Sequence, residues 1–210
     1  LVLERGYHDV QDMEFTIESG KLWILQTRNG KRTAKAAIKI AVDMYREGII
    51  TKEQAIMQVD PYSVYQVLLP CFNPAAVKPS HKVSKGVNAS PGAAVGKIVF
   101  DTEEAARRGE AGEKVILVRI EACPDDIHGM AVSQGVLTLR GGATSHAAVV
   151  AKGMGKPCVS GCEDLKIDLA KETITCADGT VFHKDDIISL DGGTGEVMEG
   201  AIELVEAGTS

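Results

Sequence analysis

The stretch 136–157 constrains the fold more than any other part of the chain. Residues 136–139 are mostly apolar or β-branched and predict a buried strand. A pair of glycines then predicts a turn. The alanines and valines that begin at His146 predict a helix ending at Gly153 or Gly155. This order of strand, turn and helix favours an α/β domain with a histidine at or next to a helix start.

The start of that helix is suited to binding an anion such as phosphate, because its backbone N–H groups lack intrahelical acceptors and its dipole is positive. Gly141 and Gly142 permit close backbone approaches that a side chain would prevent. Thr144 and Ser145 can cap the helix and offer hydroxyls to phosphate oxygens. We therefore interpret His146 as a nucleophile that becomes a phosphohistidine. The alternative is a histidine that only caps or packs.

The stretch 141–157, GGATSHAAVVAKGMGKP, resembles the phosphohistidine motif of the pyruvate phosphate dikinase family of phosphoenolpyruvate (PEP)-utilising enzymes. It is more distantly similar to PEP synthase and to phosphotransferase-system enzyme I. Ala143 stands where the family usually has a bulkier residue. The resemblance implies a β/β/α swivelling domain at 87–205 whose His146 carries the phosphoryl group. It also makes Thr144 a candidate regulatory residue, because plant dikinases are phosphorylated at the matching threonine.

Residues 12–28 predict a β-hairpin with its turn at 19–21. The carboxylate of Glu14 and the amide oxygen of Gln26 suit Mg²⁺, and the nearby Arg28 suits a phosphate tail. The alternative for these alternating polar residues is a solvated face. The hairpin resembles the last two strands of the ATP-grasp domain of the dikinases. That resemblance implies that Glu14 and Gln26 are metal ligands at the ATP phosphates and that Arg28 contacts those phosphates.

Two arginines follow strands that run toward the predicted helix. The guanidinium of Arg119 or Arg140 could pair with phosphate oxygens. The alternative for each is a solvated side chain, because exposed arginines are the norm.

Composition shifts and the resemblance together divide the chain into five parts. The first residues, Leu-Val-Leu-Glu-Arg, include neither a Met nor a signal peptide, so we expect a piece of a longer protein. The predicted parts are the end of an ATP-grasp domain (1–32), a helical segment (33–69), a proline-containing linker (70–86), the phosphohistidine domain (87–205) and the start of a second linker (206–210).

Charge and cysteine content limit the classes of partner. A net charge of −6 and a pI near 5.4 argue against nucleic acid. No apolar run approaches the roughly 20 residues that a membrane span needs. The five scattered cysteines predict reduced thiols and an intracellular protein, in the cytoplasm or an organelle.

The predicted function is phosphoryl transfer. As the resemblance implies, ATP phosphorylates inorganic phosphate and passes its β-phosphoryl group to His146 with Mg²⁺, and a downstream barrel domain delivers that group to pyruvate. The flanking domains would bind these substrates, the intact enzyme would be a homodimer, and this chain alone would lack net activity. Two alternatives stay open: a synthase or enzyme I type of carrier, and a non-catalytic binding module.

Overall fold

A computed structural model describes residues 2–205, so the predicted second linker at 206–210 lies outside the described residues. The chain divides between Leu68 and Leu69 into two compact units, unit 1 and unit 2. Over the described range, no helix combines the length and the apolar character needed to cross a membrane.

Unit 1 consists of a short helix, a hairpin and three further helices, and the hairpin and the helices within 33–69 agree with the sequence prediction. The helices begin at capping residues: the Thr33 hydroxyl accepts the Ala36 N–H, and Thr51 forms a capping box with Gln54. The elements of unit 1 are α1 (Val2–Tyr7), β1 (Gln11–Glu18), β2 (Lys21–Asn29), α2 (Ala34–Arg46), α3 (Lys52–Gln58) and α4 (Pro61–Val67).

Unit 2 is a mixed α/β structure with a large central sheet. Two 3₁₀ turns, Pro79–His81 and Pro124–Asp126, lie between its strands and helices. The elements of unit 2 are β3 (Cys71–Phe72), β4 (Lys82–Lys85), β5 (Val87–Ser90), β6 (Ala93–Val99), α5 (Thr102–Glu110), β7 (Val115–Arg119), α6 (Ile127–Val132), β8 (Gly135–Thr138), α7 (His146–Met154), β9 (Cys158–Ser160), β10 (Lys166–Asp168), β11 (Thr173–Thr175), β12 (Val181–His183), β13 (Ile187–Asp191), β14 (Glu196–Glu199) and β15 (Leu204–Val205).

The central sheet has eight strands in the order β4-β14-β13-β6-β7-β8-β9-β5, and the pairs from β6 to β9 are parallel. Alternate residues of β7 enter two different cores. Val115 and Leu117 pack with residues of α5, α6 and α7, whereas Ile116 and Val118 pack with residues of the small sheet β10-β11-β12. The central strands β7 and β8 are mostly apolar, as expected for strands buried on both faces.

The structure corrects the prediction that 70–86 is a linker. β3 pairs with β15, and β4 pairs with β14 as an edge strand of the large sheet. Val83 and Ser84 are each only 8% exposed. The prolines of the segment all precede β4, which leaves the backbone N–H groups of β4 able to pair with β14. The segment 70–86 therefore contributes strands to unit 2.

Candidate functional site

The predicted strand, turn and helix are present around His146. β8 is completely buried, and α7 begins at His146 and ends before Gly155, which has the left-handed conformation of a helix C-cap. α7 packs three buried alanines, Ala147, Ala148 and Ala151, against the sheet. Small side chains let the helix lie close to the strands, so the position of His146 at the sheet edge is firmly fixed.

Backbone hydrogen bonds fix the end of β8 and the start of the loop 139–145. The Leu139 N–H donates to the Arg119 carbonyl at 3.2 Å, and the Arg140 N–H donates to the Ile120 carbonyl at 2.9 Å. The Thr138 carbonyl accepts the Cys162 N–H at 3.2 Å. The backbone is therefore tied on both sides just before the glycine pair.

The two glycines of the loop have different roles. Gly141 has φ +106°, and an added Cβ would lie 2.7 Å from the Cβ of Ser145. Gly142 has no positive φ, and an added Cβ would meet nothing within 4 Å. Only Gly141 is required by the protein's own geometry, while Gly142 borders open space that a phosphoryl group could use.

Alanine at each glycine should separate these roles. We expect Gly141→Ala to lower the free energy of unfolding by about 2–3 kcal/mol, because it combines backbone strain with crowding. Gly142→Ala should change it by less than about 0.5 kcal/mol. Denaturant titration of both variants measures the difference. Equal destabilisation by the two substitutions would contradict this account of the loop.

Ser145 caps α7, and Thr144 is exposed. The Ser145 hydroxyl accepts the Ala148 N–H at 3.3 Å. The Thr144 hydroxyl has no hydrogen-bond partner within residues 2–205. Ser145 therefore stabilises the helix start, and the Thr144 hydroxyl is free to contact a ligand or accept a modification.

The His146 ring is partly buried without a structural hydrogen bond. Its Nε2 is shielded from solvent and has no partner among the residues that the structure describes. A buried polar atom of a packing residue is normally hydrogen-bonded. The unpaired nitrogen sets His146 apart from a histidine that only caps or packs, because its hydrogen-bonding capacity is not used by the fold.

The polar residues predicted for the hairpin lie together on one face. Glu14 and Gln26 are directly opposite each other in the β1–β2 register, as are Asp12 and Arg28. Arg28 Nε lies 2.9 Å from Asp12 Oδ2, and Arg28 Nη2 lies 3.7 Å from Glu14 Oε1. The hydrogen bond from Arg28 to Asp12 and the negative charge of Asp12 raise the pKa of the exposed Arg28 guanidinium.

The donor atoms of this face fit part of a magnesium site. A carboxylate and an amide oxygen from opposing positions are hard oxygen ligands of the kind that Mg²⁺ prefers. No cluster of three or more His, Cys, Asp or Glu side chains suited to a metal occurs in the described part of the chain. Glu14 and Gln26 can therefore supply two ligands, and a phosphate chain and water would have to supply the others.

Asp126 was not among the predicted site residues, and it is only 2% exposed. Its carboxylate accepts hydrogen bonds from the Thr102 hydroxyl and, at 2.8 Å, from the Cys123 N–H, and it lies 3.3 Å from Arg119 Nε. A carboxylate three residues after Cys123 at a Pro-Asp-Asp helix start is a capping pattern, and that signal was available in the sequence. Its burial was not.

Two family models match separate parts of the chain. Residues 111–195 match the family model described as "PEP-utilising enzyme, mobile domain". Residues 1–49 match the model described as "Pyruvate phosphate dikinase, AMP/ATP-binding domain".

Curated relatives match over nearly all of the chain. It is 53% identical over 204 residues to the pyruvate, phosphate dikinase of Rhizobium meliloti (strain 1021), which covers 97% of the chain and 22% of the relative. It is 53% identical over 208 residues to that of Clostridium symbiosum, with 99% and 24% covered. The chloroplastic pyruvate, phosphate dikinase 1 of Arabidopsis thaliana is 48% identical over 199 residues, with 95% and 21% covered.

The chain thus spans less than a quarter of the length of these relatives. The similarity includes both the hairpin and the His146 loop, since it extends over at least 95% of the chain in each case. The chain therefore belongs to the pyruvate phosphate dikinase family of PEP-utilising enzymes.

Proposed function

We propose that His146 carries a phosphoryl group between ATP and phosphate on one side and pyruvate or PEP on the other. The observation that carries the proposal is the unpaired ring nitrogen of His146 at the start of α7, the helix that follows the glycine loop. The names and the 48–53% identities of the relatives favour a dikinase over a synthase or enzyme I.

The chemistry in the direction from PEP is a displacement at phosphorus. A lone pair of the His146 ring attacks phosphorus, the bond to the enol oxygen breaks, and that oxygen leaves with the electron pair. Proton uptake by the resulting enolate gives pyruvate. The backbone N–H groups of His146 and Ala147 are at the first positions of α7 and lack intrahelical acceptors, so they can donate to the phosphoryl oxygens. Thr144 and Ser145 can add hydroxyl contacts.

The hairpin face would serve the nucleotide side of the reaction. Glu14 and Gln26 would hold Mg²⁺, and Arg28 would contact the ATP phosphates. When bound, the ion supplies positive charge that neutralises the phosphate oxygens during transfer. Since Arg28 contacts Asp12 and Glu14 here, we expect phosphate binding to compete with those contacts.

One histidine can be in line with two distant sites only if the element that holds it moves. We therefore propose that 87–205 is a β/β/α swivelling domain and that 1–32 is the end of an ATP-grasp domain, with 33–69 as a helical segment between them. The matched mobile-domain model supports this reading. Flanking domains would bind ATP and pyruvate, in an intracellular enzyme that is a dimer when intact. The chain alone would therefore show no net dikinase activity.

A capture experiment tests the carrier. The chain is mixed with Mg²⁺, labelled PEP and a separately produced PEP-binding domain of the Clostridium symbiosum relative. We expect label that is lost in acid, survives base and maps to the peptide containing His146, because phosphohistidine is a phosphoramidate. The matching segment of the relative is the positive control. If that segment takes label and the folded chain does not, or if the label is acid-stable, the proposal is wrong.

A further inference from the structure

Arg119 lies at the same sheet edge as the loop that precedes His146. It is the last residue of β7, which runs parallel to β8 and pairs Arg119 with Thr138. The carboxyl ends of parallel neighbours meet at one edge of a sheet. The hydrogen bond from the Leu139 N–H to the Arg119 carbonyl ties the two strand ends together at that edge.

The guanidinium of Arg119 is anchored but only partly used. Nη1 donates to the Phe100 carbonyl at 3.1 Å, and Nε lies 3.3 Å from Asp126 Oδ1. Nε is buried and lacks a well-aligned hydrogen bond within residues 2–205, while 29% of the side chain is exposed. Arg119 therefore keeps N–H donors for a further acceptor.

Arg108 shows what a fully used arginine looks like in the same unit. Its side chain is 10% exposed and forms ion pairs with three carboxylates, those of Glu104, Glu113 and Asp185. Arg119 faces one carboxylate only, among the described residues. The difference leaves Arg119 with spare N–H donors at the edge that holds the loop.

Asp126 is held so that it can fix Arg119. Burial raises the pKa of Asp126, but hydrogen bonds from Thr102 and Cys123 and the charge of Arg119 outweigh burial and bring that pKa below its usual value. The carboxylate is thus charged at neutral pH and rigidly placed between α5 and the turn before α6. A buried charge of this kind requires a partner, and Arg119 is the cation beside it.

We propose that Arg119 contacts the phosphoryl group that His146 receives or delivers, and that Asp126 is a positioning residue that holds Arg119 for this contact. The inference rests on the proposed function of His146. A guanidinium suits the task because it is planar, always charged and able to donate two parallel hydrogen bonds to phosphate oxygens. The guanidinium would stabilise the negative charge that develops on the phosphoryl oxygens during transfer. It would need little movement to do so, because Asp126 and the Phe100 carbonyl already hold it in place.

The test measures the initial rate of labelling of the chain at saturating PEP, with the PEP-binding domain supplied separately. Removing one preorganised donor typically costs about 10²–10³ in rate, so we expect Arg119→Met to slow labelling about 100-fold. Arg119→Lys should recover part of that loss. Arg107→Met is the matched control, because Arg107 is exposed on α5 and its side chain has no partner among residues 2–205. It should label at the wild-type rate, and thermal unfolding verifies that each variant is folded.

The role of Asp126 is tested in the wild-type chain and in the Arg119→Met variant. Asp126→Asn should slow labelling about 10-fold in the wild-type chain and have no further effect in Arg119→Met, because coupled residues are not additive. A purely structural role would slow both backgrounds equally. If Asp126→Asn does not fold, the Arg119 variants still decide the question.

Phosphoramidate, a small phosphoryl donor, separates chemistry from docking. We expect Arg119→Met to slow labelling by phosphoramidate as well as by PEP. If a folded Arg119→Met chain labels at the wild-type rate, or is slow only with the PEP-binding domain, the inference is overturned. If the wild-type chain takes no label from either donor, the proposed function itself fails.

Discussion

Replacing His146 with alanine is expected to abolish acid-labile phosphorylation of the chain while leaving it folded. The ring has no hydrogen bond to lose within the described residues, and the Ser145 cap and the buried alanines of α7 stay in place. Alanine also has a higher helix propensity than histidine. We expect labelling from PEP to fall at least about 1,000-fold, to background, because the alanine side chain offers no nucleophile.

A second histidine provides the matched control for that experiment. His183 lies on β12 with 66% of its side chain exposed, and its contact to Asp186 is local. His183→Ala should retain full labelling, and both variants should unfold within a few degrees of the wild-type chain. Persistent acid-labile label in folded His146→Ala would show that another residue is the acceptor.

Replacing Gly195 with alanine is expected to destabilise unit 2 more than a loop substitution normally does. Gly195 has φ +81° in the turn between β13 and β14, and an added Cβ would overlap the carbonyl oxygen of Gly86. The Gly86 N–H donates to the Gly195 carbonyl at 2.8 Å, so the two backbones cannot separate freely. Strain and overlap together should lower the free energy of unfolding by about 3–5 kcal/mol.

The control for Gly195 isolates the overlap from the backbone strain. Gly179 has φ +88°, but an added Cβ there would meet nothing within 4 Å. Gly179→Ala should therefore cost only about 1 kcal/mol. Thermal unfolding should show a drop of roughly 10 °C for Gly195→Ala and a few degrees for Gly179→Ala. Similar shifts for both would mean that the turn moves away from Gly86 at little cost.

Local sequence signals were enough to predict many elements. The hairpin at 12–28, the helices within 33–69 and the helix from His146 are confirmed by the structure. These features depend on residues a few positions apart, such as a capping hydroxyl and the backbone N–H that it accepts. The roles of the candidate site residues stay predictions until the labelling experiments are done.

The features that could not be predicted from the sequence depend on contacts between residues far apart in the chain. Lys82–Lys85 lies in a segment with the composition of a linker, and it becomes a strand only because β14 provides an edge for it. Asp126 reads as a helix-start carboxylate, but its burial depends on Thr102 and Arg119, which lie on other elements. A partner distant in the chain leaves no periodic or spacing signal in a single sequence.

The sequence by itself determined the strand, turn and helix around His146, the polar face of the hairpin and the membership of an α/β class. Each follows from alternation, capping and glycine placement within a short window. Only the tertiary structure decided that β4 belongs to the sheet, that Gly141 is sterically required while Gly142 faces open space, and that Asp126 anchors Arg119. Those outcomes depend on which distant backbone or side chain fills the space next to each residue, and that is settled when the sheet closes and its two faces are buried.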